Sequence, residues 1–177
     1  MTTVKRVFVL VFASTLAGLC GCGPGDSSSG MQATETADAS SACQSSNPSA
    51  AAQAFIGSWR YVSQTTNCTC DDGTTQMLST DGSDIETFTA GCEPDQVIGI
   101  EVAGPPGCYE TCTVSGTTAT CSPYTCEASN GIEIQTTHDV YTLSNGQLQD
   151  VGGGILTLPS GTSCQCASND GVLTKIQ

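Results

Sequence analysis

The chain has 177 residues, 17 of them acidic against 4 lysines and arginines, for a formal net charge of −13. Such a surface repels phosphate backbones, so no nucleic-acid partner is expected. Twelve cysteines beside a single histidine exclude ordinary cytosolic usage and point to an exported, disulfide-bonded protein.

Lys5 and Arg6 precede an apolar run over 7–19, and small residues follow around Cys20 and Cys22, the order of a secretory signal. The run falls short of the roughly 20 residues a membrane span needs. Leu19-Cys20-Gly21-Cys22 resembles the lipobox of bacterial lipoproteins, whose acylated cysteine becomes the new N-terminus. That resemblance implies a signal peptide over 1–21, a lipid on Cys22, and the membrane as a partner through that anchor. Gly23, where Asp would signal retention, is similar to lipoproteins sorted to the outer membrane. The expected location is therefore exported and lipid-anchored, at the bacterial outer membrane or cell surface. Residues 22–53 form the acylated N-terminus and a Gly/Ser/Ala-rich linker with little apolar surface to offset the entropy of ordering it. As a flexible coil it would reach roughly 30 Å.

The remaining chain, 54–177, reads as one Cys-rich β domain. Short Thr-rich segments with period-two alternation occur at Trp59–Ser63, Ile85–Thr89, Val97–Val102, Tyr109–Ser115, Thr117–Cys121, Ile132–Thr136, Val140–Leu143, Ile155–Leu158 and Val172–Ile176. Turn residues separate them at 71–73, 80–82, 129–131, 144–146 and 168–171. Eight to ten short antiparallel strands predict an all-β, disulfide-rich, up-and-down β-barrel or a related sandwich. A hairpin centred on Gly116-Thr117 sets Cys112 opposite Cys121 and brings Cys108 near Cys126. Closure of a barrel between its first and last strands sets Cys68 opposite Cys166 and Cys70 opposite Cys164, which leaves Cys43 for Cys92. Other connectivities stay open on sequence alone. The cysteine spacings do not match a metal site, and neither metal nor cofactor is expected.

Phe55-Ile-Gly-Ser-Trp59 resembles the first-strand G-x-W motif of lipocalins and of lipocalin-like domains in bacterial lipoproteins; the family's mid-chain T-D-Y and late Arg are absent. The resemblance implies a barrel whose closed end is plugged by Trp59, with Lys175 covering the indole. It also implies a small apolar ligand in a pocket drawn from Trp59, Tyr61 and Lys175. The disulfide register places Trp59 opposite Lys175. Trp59 and Cys68, however, point to opposite faces of a straight strand unless a bulge intervenes, which sits awkwardly with the resemblance.

No G-x-S-x-G or H-E-x-x-H motif occurs. His138 and Asp139 alternate to opposite faces on a strand. The carboxylate groups Asp71-Asp72, Asp81 with Asp84 and Glu86, and Glu93 with Asp95 sit mostly in turns, where Asp serves the backbone. Asp81–Glu86 offers oxygen ligands for weak Ca²⁺ binding but lacks the EF-hand spacing, and reads better as an acidic hairpin turn. No catalytic residue is assigned and no enzyme is expected. The expected function is a lipid-anchored envelope lipoprotein holding a small apolar ligand. The alternative is a non-catalytic surface interaction or structural protein acting through its acidic exterior, its protein partner unspecified.

Overall fold

The computed structural model describes residues 44–80, 82–101, 108–127 and 131–176; the signal region, Cys22 and Cys43 lie outside them. The described chain opens with a helix, α1 (Ala50–Phe55). Ala-rich sequence is the strongest helix former, and Ser49 caps the first turn by accepting the Ala52 N–H at 3.1 Å. Ala52 and Phe55 are fully buried, and the Ser45 and Ser49 N–H groups bond Gly91 O and Pro94 O. The folded unit thus begins before Ala54, inside the stretch expected to be linker. Composition misled there because a short alanine run reads equally as coil until something packs on it.

Eleven strands follow: β1 (Gly57–Ser63), β2 (Thr65–Cys70), β3 (Thr75–Ser79), β4 (Ile85–Ala90), β5 (Gln96–Glu101), β6 (Glu110–Ser115), β7 (Thr118–Cys121), β8 (Tyr124–Glu127), β9 (Glu133–Ser144), β10 (Gln147–Thr157) and β11 (Ser163–Lys175). Eight of them close a ring in the order β1, β4, β5, β6, β7, β9, β10, β11 and back to β1, every neighbour antiparallel. The protein is therefore an all-β closed barrel. It departs from a pure up-and-down order because the β2–β3 hairpin is inserted between the first and second barrel strands and pairs outside the ring, on β11.

The long strands β9, β10 and β11 serve two structures. One half of each completes the barrel, and the other halves continue as a sheet flanked by β8 on one side and by β2 and β3 on the other. The two segments expected as separate short strands at 132–136 and 140–143 are thus parts of one long strand, β9, and those at 155–158 and 172–176 are pieces of the longer β10 and β11. Asn145 and Gly146, both with positive φ (52° and 76°), make the tight turn between β9 and β10. At 168–171, read as a turn, the chain instead runs on as β11, irregular opposite β1 and β10. Asp170 explains its turn-like composition, since its carboxylate accepts the Thr65 N–H at 2.8 Å where β1 gives way to β2. The register slip between Tyr61 and Ser63 is the bulge that parity requires, and it lets Trp59, Cys68 and Cys70 all be buried.

Four disulfides join Cys68–Cys166, Cys70–Cys164, Cys108–Cys126 and Cys112–Cys121. Three link residues directly opposed across a ladder, with Cα atoms 3.8–4.0 Å apart; these are the pairs that hairpin and closure registers give. Cys92 is also disulfide-bonded. Its expected partner, Cys43, falls outside the described residues. Cys68, Cys70 and Cys164, with Leu156, form the small core of the extended sheet, while the barrel core gathers at the α1 end around Phe55, Trp59, Phe88, Val97, Leu148 and Leu173.

Candidate functional site

The barrel strands alternate inward and outward as their pleat demands, but the chemistry of the inward face changes along the axis. Toward α1 it is apolar and filled. Trp59 is 1% exposed, donates its indole N–H to Phe55 O at 2.7 Å, and lies under the Lys175 ammonium, 5.0 Å from the ring. Trp59 and Lys175 are register partners, and the ammonium also reaches Ala54 O at 3.3 Å. Of the three residues expected to line a ligand pocket, Trp59 and Lys175 therefore belong to a packed plug, and only Tyr61 borders a cavity.

That cavity, about 190 Å³, occupies the other end of the barrel. One step beyond each apolar inward residue stands an acidic one: Glu86 before Phe88, Glu110 before Cys112, Asp139 before Tyr141 and Asp150 after Leu148. All four carboxyls border the cavity, together with Tyr61 and Tyr141, and two more, Asp84 and Glu101, stand on its lining. Glu86, Glu110 and Asp150 are 6%, 4% and 3% exposed.

Glycines make the room. A Cβ on Gly99 would stand 2.8 Å from both Glu110 Oε1 and Glu86 Oε1, one on Gly152 would overlap Asp139 Oδ1, and one on Gly171 would press on Asp150. Asp150 Oδ2 accepts the Tyr61 hydroxyl at 3.1 Å and the Gln64 amide at 3.2 Å. Glu110 bonds the Tyr141 hydroxyl and the Asp139 carboxyl; a carboxyl–carboxyl bond requires a shared proton. Glu110 Oε1 and Asp150 Oδ1 are buried without any hydrogen-bond partner.

Burial raises the proton affinity of all four groups, and neighbouring like charges add to it at Glu86, Glu110 and Asp139. Glu86 is pushed well above the ordinary carboxylate range, first by burial and then by Glu110. Burial also raises Glu110 and Asp139, which are tightly linked, and lifts Asp150 to about 6 against two hydrogen bonds that lower it. No described cationic side chain offsets them: Lys175 lies over Trp59, Arg60 is exposed, and exposed His138 bonds the Thr137 hydroxyl at 3.1 Å.

Of the acidic residues that sequence reading singled out, Glu86 and Asp84 border this cavity, and the other described ones serve turns or the surface. Asp72 holds the Thr74 N–H and hydroxyl, Asp84 accepts the Thr80 hydroxyl, and Glu93 and Asp95 are exposed. Glu110 also lies near Cys112 and Cys121, but those sulfurs are bonded to each other and offer no thiolate. A groove of about 280 Å³ between Tyr109, Thr111, Ser122 and Tyr124 carries no charged group.

The chain matches no protein-family model, no curated protein and no solved structure. The class defined here is thus structural, a closed eight-stranded antiparallel barrel with an apolar plug at one end and an acidic cavity at the other.

Proposed function

We propose that the protein is a lipid-anchored envelope lipoprotein whose barrel holds a small cationic ligand without chemically transforming it. One observation carries this reading: four carboxyls from different strands converge on one cavity that no cationic side chain among the described residues enters. Charges of one sign gathered out of water need protons or an outside cation. The polar lining favours a cation over the apolar ligand that lipocalin resemblance implies. The plugged end, with Lys175 over Trp59, supports that resemblance in architecture.

Native mass spectrometry of the chain exported by a host with an oxidising envelope tests the reading. A non-covalent adduct that disappears on denaturation, and is absent from Glu110→Gln, is the expected result. A bare mass under every cation tried would overturn it. For the anchor, Cys22→Ser should move the protein from the membrane to the soluble fraction.

A surface-interaction role is favoured by one other feature. Strand β3 is exposed along its whole length, with Met77 73% and Leu78 46% accessible.

A further inference from the structure

We infer that the acidic end of the barrel takes a short linear diamine, with one ammonium between Glu86 and Glu110 and the other on Asp150. The inference deepens the cationic-ligand reading and rests on it. The acidic cluster is not its only ground: Glu110 Oε1 and Asp150 Oδ1, on residues more than nine-tenths buried, border the cavity and have no hydrogen-bond partner. Orphaned buried oxygens are rare in native proteins, and those of ionisable carboxyls call for a donor that also carries positive charge.

The placing of the acceptors decides the shape of the donor. In the ring, β6 with Glu110 and β10 with Asp150 are separated by β7 and β9 on one side and by β11, β1, β4 and β5 on the other, so the two orphans belong to facing walls. Glu86 and Glu110 form one pole. Both their Oε1 atoms lie 2.8 Å from the point a Gly99 Cβ would occupy, close enough together for the N–H groups of one ammonium to reach both. Asp150 forms the other pole, where the Tyr61 hydroxyl and the Gln64 amide hold Oδ2 and leave Oδ1 open. No three carboxyls among the described residues bring an oxygen each within 4.8 Å of one another, so a single metal ion finds no cage of them. One ammonium or guanidinium would meet one pole and leave the other orphan unmet. A diamine meets both, and its methylenes suit the apolar part of the lining, which includes Ile134, Tyr124 and the Cys108–Cys126 disulfide. The cavity of about 190 Å³ has room for about six water-sized groups at roughly 30 Å³ each, the heavy-atom count of a four-carbon diamine. Gly99, Gly152 and Gly171 keep that space open, since a Cβ on any of them would press on a carboxyl.

The test is a calorimetric titration of the purified, disulfide-intact chain with 1,4-diaminobutane at about pH 8, where alkylammonium groups stay charged. One diamine per chain is expected, with a dissociation constant at or below about 1 mM. Butylamine, which lacks the second ammonium, should bind at least about tenfold more weakly, having lost a charge-assisted bond to a buried acceptor. Glu110→Gln and Asp150→Asn should each weaken the diamine at least about tenfold, and Asp150→Asn should also erase its advantage over butylamine. Glu93→Gln, on the exposed surface, should change neither. Both cavity variants keep the shape of the native side chain, and the intact mass with all disulfides formed checks that they fold. No stoichiometric heat from the diamine at about 10 mM, equal affinity for the two amines, or equal diamine affinity in Glu110→Gln overturns the inference. If the two amines bind equally through Glu110, the two-headed ligand falls and the cationic barrel stands; if neither binds and the native mass stays bare under every cation, both fall.

Discussion

The two ends of the barrel are built from the same strands with the same alternation, yet one is a close-packed plug and the other a cluster of carboxyls. At the α1 end, Trp59 and Phe88 fill the interior, and the Tyr141 ring meets Phe88 edge-on at 5.0 Å. Two residues along the same strands, Tyr61, Glu86 and Asp139 replace them. The difference teaches that the plug carries the stability of the barrel, while the acidic end gathers buried like charges that cost stability.

Cutting into the plug should have the largest effect. Trp59→Ala should destabilise the protein by about 3–5 kcal/mol, read as a lower midpoint in chemical denaturation with the disulfides intact. Filling the other end comes next. Gly99→Val forces a side chain into carboxylate oxygens that a Cβ alone would already approach to 2.8 Å, and overpacking of this kind costs about 1–3 kcal/mol; it should also abolish cation uptake.

Acidity should separate the two ends without mutation. The acidic-end carboxyls have proton affinities raised by folding, so between the unfolded value near 4 and the folded value the native state binds more protons than the unfolded one. Their contribution is therefore fully present below about pH 4 and is lost as pH rises through the folded values, starting with Asp150 at about 6. The ion-free melting temperature should fall from about pH 5 to pH 8, and a flat or rising profile would count against a charged interior. Glu110→Gln should blunt that slope and raise ion-free stability at pH 8 by about 1 kcal/mol, since it removes one buried charge while keeping its shape. Smallest of all, Lys175→Met should cost about 0.5–1 kcal/mol by removing the ammonium above Trp59.

The sequence made the registers legible because hairpin and closure geometry fix pairs by position alone. Cys112 opposite Cys121 and Trp59 opposite Lys175 both follow from counting outward from a turn or a seam. Strands β2, β3 and β8 were not legible, because Thr-rich segments such as Thr65-Thr66-Asn67 and the wholly exposed β3 give no apolar alternation to detect. The glycine run at 152–154 similarly hid the middle of β10.

The acidic end is only partly legible, for a different reason. Neighbourhood in sequence groups Glu86 with Asp84 and Asp139 with His138, whereas the carboxyls that converge in space are spread over β4, β6, β9 and β10. Their signal was present in the period of two: Glu86-x-Phe88, Glu110-x-Cys112-x-Val114, Asp139-x-Tyr141 and Leu148-x-Asp150 each put an acid on the face of its apolar neighbour.

The paired staples on β2 and β11 have a kinetic meaning beyond their place in the sheet. Cys70–Cys164 closes a separation of 94 residues, and Cys68–Cys166, at 98, encloses it. Once either exists, the other closes only a ring of a few residues. By chain entropy the first to form contributes about 4–5 kcal/mol and the second roughly half as much. The pair therefore acts as one long-range tether with a spare. A reductant that opens one bond leaves β2 held to β11 and the broken thiols side by side, ready to re-oxidise.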